Sequence, residues 1–317
     1  MRDANFPYLP KDFIQTKEGL IFAVVSYQPQ AEKVGCFLRY IPNNRGFEKM
    51  GTAQANLLLK QVYPQYFYQS SQFDATFHAV KTDEIITHFK PEQRLKTVLA
   101  QKTHDEIEQK LQGLIPILVR FGVECDALGL TGSMLINQQG ATSDIDLVVY
   151  GRKQFQKTRQ AIEQAVAAGE LEPLDEQLMW DNFQRRAGVL SLNEFTWHEN
   201  RKFNKAVIEG CKFDIGMMCL SDEIEHDKAQ YQKQGGRIFK TKVIDDHRAF
   251  DFPAVYHVED KLTPKVLSFT HTYVGQAKKG EIIEVSGAVE RNVTTGKCRL
   301  IVGSTREADG EYIKVCK

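Results

Sequence analysis

The stretch that most constrains the fold is Asp144-Ile145-Asp146-Leu147-Val148-Val149-Tyr150. Leu147 to Tyr150 is apolar, and a short run of this kind reads as a buried strand. Alternate residues of a strand face one side, so Asp144 and Asp146 point the same way where that strand begins. Carboxylates held side by side repel, and a divalent cation removes the penalty. A sheet is therefore expected around this strand, and the acid pair at its start is a candidate cation site, although such a pair can also simply solvate or cap a turn.

Two further segments extend the pattern. Ala127 to Thr131 reads as a second buried strand running into Gly132 and Ser133, with a helix expected from Met134. Glycine permits close backbone approach, and a hydroxyl beside helix N–H groups can hold a phosphate. Ten residues separate Ser133 from Asp144. Lys212-Phe213-Asp214-Ile215-Gly216-Met217 places a third acid among apolar residues. A strand there, beside the first, would bring Asp214 next to Asp144 and Asp146. Three carboxylates can hold two Mg²⁺ ions about 3.5–4 Å apart, the clamp used for in-line displacement at phosphorus.

Gly132-Ser133, the ten-residue spacer, Asp144-Ile145-Asp146 and the later Asp214 between apolar neighbours resemble the DNA polymerase β-like nucleotidyltransferase superfamily. The motif resemblance covers about residues 125–220. The whole chain resembles a group of uncharacterised, largely archaeal, predicted nucleotidyltransferases, through Phe13 to Val25, Phe203 to Gly210 and a β-rich tail. The resemblance implies an α+β fold with a nucleotidyltransferase-type mixed sheet and helices on one face. It implies Mg²⁺ or Mn²⁺, ATP or another NTP as substrate, and transfer of a nucleoside monophosphate with release of pyrophosphate. By position it makes Gly132 and Ser133 ligands of the β- and γ-phosphates and Asp144 and Asp146 ligands of both metals. Asp214 would bind the catalytic metal and help activate the acceptor hydroxyl. The acceptor stays open between RNA, a protein side chain and a small molecule.

Pattern changes divide the 317 residues into an N-terminal α/β domain (1–90), the catalytic domain (91–254) and a small antiparallel β domain (255–317). In the first, Leu20 to Val25 and Gly35 to Ile41 read as strands around a turn at Gln28-Pro29-Gln30, with a second turn at Pro42 to Gly46. Met50 to Lys60 and Asp83 to Phe89 read as short helices. Glu92 to Arg120 is helical in period, with Pro116 a candidate kink. Lys153 to Ala168 and Leu174 to Leu190 read as helices, and the strands on either side of Glu209-Gly210 as a hairpin. The tail offers three strands, Glu281 to Val289, Cys298 to Val302 and Tyr312 to Val315, with turns that include Ala308 to Gly310.

Composition narrows the function class. Lys+Arg and Asp+Glu both number 41, which argues against coating nucleic acid by bulk charge. Residues 91–254 carry 25 acids against 21 Lys/Arg, so the acidic excess coincides with the carboxylate cluster. No apolar run approaches the roughly 20 residues of a membrane span, and Met1 to Tyr8 holds no apolar core of a secretory signal. Six cysteines without a CxxC signal neither zinc nor a disulfide scaffold, so a reducing cytoplasm is expected. His198 to Lys205 is basic and polar ahead of the third acid, which makes Arg201 and Lys205 candidates to touch the nucleotide. Trp180 and Trp197 read as packing anchors, and His226, His247, His257 and His271 lack metal spacing. Two other readings remain: a nucleic-acid-binding or regulatory protein that keeps the fold without turnover, and a phosphate-releasing hydrolase.

Overall fold

The computed structural model describes residues 7–27, 32–44, 46–70, 74–186, 188–225, 227, 229–304 and 309–317. The turn at 28–30, Arg45, His226 and Ala308 lie outside them. The chain is a mixed α+β protein that divides into two compact units. The first holds residues 1–70, 75–172 and 207–225, and the second 71–74, 173–206 and 226–317. These borders do not follow the pattern breaks at 90/91 and 254/255.

The first unit opens with an antiparallel sheet. Its strands are β1 (Phe13–Thr16), β2 (Ile21–Val24), β3 (Lys33–Asn43), β4 (Gly46–Lys49), β5 (Phe67–Ser70), β6 (Ala75–Lys81) and β7 (Ile85–Phe89). They run in the order β5-β6-β3-β2-β1-β7, with β4 on β3. The helix α1 (Thr52–Val62) buries Ala55 and Leu59 in a core with Ile14, Phe22 and Tyr66. The helix expected at Asp83 to Phe89 is instead a 3-10 turn, Thr82–Glu84, followed by β7. Ile85-Ile86-Thr87 is β-branched, which crowds a helix and suits a pleated edge. The long helical stretch breaks into α2 (Pro91–Ala100) and α3 (Glu106–Arg120). Asp105 stops the run by capping α3: its side chain accepts from Glu108 N at 2.9 Å. Pro116 lies inside α3.

A four-stranded sheet carries the acidic motif. Its strands β8 (Leu128–Leu130), β9 (Ile145–Tyr150), β10 (Lys205–Ile208) and β11 (Cys211–Met218) lie in the order β10-β11-β9-β8. β9 runs antiparallel to β8 and parallel to β11, so the sheet is mixed. β10 and β11 meet at Glu209 (φ 47°) and Gly210 (φ 73°), the paired positive φ values of a tight hairpin turn. The helix α4 (Arg152–Ala167) covers β9 and β11, burying Phe155, Ala161, Ile162 and Ala165.

The second unit contains α5 (Glu176–Arg186), α6 (Leu192–Asn200) and six strands: β12 (Tyr231–Arg248), β13 (Ala254–Val258), β14 (Lys265–Ser268), β15 (Ile282–Asn292), β16 (Cys298–Val302) and β17 (Tyr312–Val315). β12 pairs with both β13 and β15, so β12-β13-β14-β16-β15 closes on itself as a five-stranded Greek-key barrel, with β17 on β15. Two features depart from the antiparallel domain read in the sequence. β14 and β16 are parallel, and the longest strand, β12, begins well before residue 255. β12 escapes a pattern search because Gln232-Lys233-Gln234-Gly235-Gly236 is polar and glycine-rich. Val243, Tyr256, Val258, Val266, Ile283, Val285, Leu300 and Val302 fill the barrel, and Met179 and Phe195 from α5 and α6 join that core. Each such side chain stabilises by about 1.5–3 kcal/mol when fully buried.

Candidate functional site

The parallel register sets Asp214 beside Asp146 and Phe213 beside Ile145. Phe213 and Ile145 are buried on the core face, so the residues flanking them share the other face. Lys212 and Asp214 on β11 therefore meet Asp144 and Asp146 in a two-by-two array. The Lys212 Nζ lies 2.6 Å from Asp144 Oδ2 and 3.6 Å from Asp214 Oδ2. Its side chain is only 2% exposed, whereas that of Asp144 is 35% exposed, so the array opens towards solvent on the Asp144 side. Asp214 Oδ1 is buried and has no hydrogen-bond partner. Burial pushes the Asp146 carboxyl above its ordinary pKa, the charge of Asp214 adds to this, and the Lys11 ammonium opposes it.

The turn before the array is shaped by the same carboxylate. Thr131 N donates to the Asp146 carbonyl at 2.9 Å. Gly132 then adopts φ +67°, and a Cβ there would overlap Asp146 Oδ2. Glycine is thus required both for its backbone angle and for the approach of a side chain. The helix expected from Met134 is a five-residue 3-10 turn, Gly132–Ile136, whose Met134, Leu135 and Ile136 are buried. Asn137 ends it in the left-handed region.

Two lysines at this site carry no motif and are missed by sequence reasoning. Lys212 is visible only once register is known. Lys11 comes from the N-terminal sheet: Thr131 Oγ1 donates to its carbonyl at 2.7 Å, and its own N–H donates to the Val24 carbonyl at 3.0 Å. It takes φ 73°, costly for a residue with a side chain. Asp12 Oδ2 secures the turn by accepting from Leu9 N at 2.8 Å, with His88 Nε2 also 2.8 Å away. The aliphatic part of Lys11 passes over Gly216, whose missing Cβ would lie 3.7 Å from Lys11 Cε.

Among the described residues, no group of three or more His, Cys, Asp or Glu is gathered as a metal cage. The donor set still fits a hard divalent cation. Three carboxylates suit Mg²⁺ or Mn²⁺, and the buried Asp214 Oδ1 has no hydrogen-bond partner.

Arg201 and Lys205 fall in the second unit, Lys205 as the first residue of β10. The Arg201 guanidinium grips Glu281 at 2.6 and 2.7 Å and lies 4.4 Å from the centre of the Trp197 ring. Lys205 pairs with buried Glu199, which Lys202 also contacts at 2.6 Å. Both side chains, expected from the sequence to touch the nucleotide, are engaged in these ion pairs.

No family model matches the chain. No solved structure matches it. Among the described residues, no helix is long and apolar enough to cross a membrane. The chain is 33% identical to the uncharacterized protein MJ1086 of Methanocaldococcus jannaschii over 333 aligned positions, covering 96% of this chain and 98% of the relative. With both chains aligned almost end to end at that identity, the protein belongs to the same family as MJ1086.

Proposed function

We propose that the protein is a nucleotidyltransferase dependent on Mg²⁺ or Mn²⁺, moving a nucleoside monophosphate from an NTP such as ATP to an acceptor hydroxyl. The observation that carries this reading is the register of β9 on β11, which sets Asp214 against Asp146 with Asp144 at the open side. When bound, two divalent ions would stabilise the charge that develops on the attacking and leaving oxygens. Asp144 and Asp146 would hold both, and Asp214 would hold one and help activate the acceptor hydroxyl. Gly132 and Ser133 would receive the β- and γ-phosphates at the adjoining turn. The acceptor oxygen bonds to the α-phosphorus as the bond to pyrophosphate breaks.

Small five-stranded Greek-key barrels take oligonucleotides or oligosaccharides on one face and its loops. The barrel of the second unit supports a macromolecular acceptor, with RNA first. A cytoplasmic setting belongs to this reading, as expected of a chain whose six cysteines form no CxxC. The test is incubation with each labelled NTP, Mg²⁺ or Mn²⁺, and total RNA or a cell lysate. A labelled RNA or protein band lost in Asp146→Asn supports the reading, and no metal-dependent label in any mixture overturns it. One observation favours a second reading, a protein that keeps the fold without turnover: an ammonium already stands among the carboxylates. Absence of Mn²⁺ binding would select it.

A further inference from the structure

The Lys212 ammonium stands among the three carboxylates that the proposed function assigns to metal. Its placement follows from strand geometry. Phe213 and Asp214 on β11 lie in parallel register with Ile145 and Asp146 on β9, and Lys212 Nζ reaches Asp144 just before β9, so the lysine takes the fourth corner of the array. A surface ion pair would leave its nitrogen in water, yet this side chain is 2% exposed. An ion pair built only for stability would satisfy both partners. Here the contact to Asp144 is short, that to Asp214 is 3.6 Å, and Asp214 Oδ1 stays buried without a partner. The ammonium compensates the array without completing it.

We infer that Lys212 is the built-in counter-ion of this site: it holds Asp144 and Asp214 in place before metal binds and yields those contacts when metal enters. The inference rests on the metal-dependent reading above. Lys212 acts through the carboxylates and is a positioning residue. One positive charge a few ångströms from a divalent ion opposes its binding, so metal affinity in the native protein is set below what three carboxylates alone would give. The same charge keeps the carboxylates from repelling one another in the metal-free protein.

The experiment measures Mn²⁺ binding to the full chain by the paramagnetic resonance signal of free Mn²⁺, with thermal melts in the presence and absence of Mg²⁺. Lys212→Met removes the charge and keeps the apolar stem, and Lys212→Arg keeps the charge. Lys212→Met is expected to bind Mn²⁺ about tenfold tighter or more. It should melt lower than wild type without metal and show the larger rise on adding Mg²⁺. Lys212→Arg is expected to bind Mn²⁺ as wild type does. A purely structural lysine would move metal affinity the other way, because its loss would disorder the ligands. If wild type binds Mn²⁺ and Lys212→Met binds no tighter, the inference is overturned and the metal-dependent function stands. If neither binds, that function falls and the inference with it. Should Lys212→Met fail to fold, Lys212→Gln retains a donor for Asp144 and is read in the same isotherm with the same outcomes.

Discussion

Buried lysines meet carboxylates in both units, and the two clusters are built to opposite ends. In the second unit, Glu199 is enclosed by Lys202 and Lys205, and Lys202 also donates to the Thr272 carbonyl at 2.7 Å. Burial alone would raise the Glu199 carboxyl, but the two ammoniums outweigh it and hold it well below the usual range. Two cations serve one acid there, and both carboxylate oxygens are occupied. In the first unit, three acids face Lys212 and Lys11, one acid oxygen has no partner, and the Asp146 carboxyl is pushed up. A closed ion cluster stabilises a fold. A cluster short of positive charge stores a preference for a cation that the chain does not supply.

The strongest way to break this contrast is to remove the acid from each cluster. Glu199→Gln leaves two buried lysines uncompensated and should destabilise the second unit by about 3–5 kcal/mol, read by denaturant melts, with Mn²⁺ binding by the folded fraction unchanged. Asp144→Asn and Asp146→Asn should leave the fold intact and lower nucleotide transfer roughly a hundredfold or more, a loss of about 3 kcal/mol of transition-state stabilisation. Near-wild-type transfer by both variants would remove the site. Gly132→Val tests the turn. Its side chain would meet Asp146 in a backbone region costly to valine, so Mn²⁺ binding should fall in a protein whose circular dichroism shows it folded. Ser133→Ala is milder, weakening NTP binding by about 1–2 kcal/mol and equally for ATP, CTP, GTP and UTP. An effect confined to one base would count against phosphate contact.

The last contrast concerns pH and belongs to the closed side of the comparison. His198 is buried on α6. Its Nδ1 lies 2.7 Å from the Glu194 carbonyl, and its Nε2 accepts from Val315 N at 3.2 Å. Burial lowers its pKa from 6.5 to about 4, so the fold prefers the neutral ring. The unfolded chain then binds the extra proton between those values. Stability from this group is fully present above about pH 6.5 and is lost as pH falls towards about 4. Melts across that range should show the decline in wild type and a shallower one in His198→Gln.

Much of the candidate site was legible in the sequence because its information is local. Alternation put Asp144 and Asp146 on one face, the apolar neighbours of Asp214 marked a buried strand, and Glu209-Gly210 marked the hairpin that brings β11 back. The elements that escaped depend on partners far along the chain. β12 is polar and glycine-rich, and it becomes a strand because β13 and β15 both pair with it. A cut between residues 254 and 255, where hydrophobic pattern alone sets a border, would part β12 from the rest of the barrel.

The sequence by itself determined which residues are acids on a strand face and where the β10–β11 hairpin turns, since each follows from a side chain and its near neighbours. Tertiary structure alone decided which charges meet. Register brought Lys212 to Asp144, a left-handed turn in the N-terminal sheet brought Lys11 towards Asp146, and ion pairs within the second unit drew Arg201 to Glu281 and Lys205 to Glu199. The physical reason is that a charge acts through space over several ångströms, whereas the patterns readable in a chain extend only over the period of a strand or a helix.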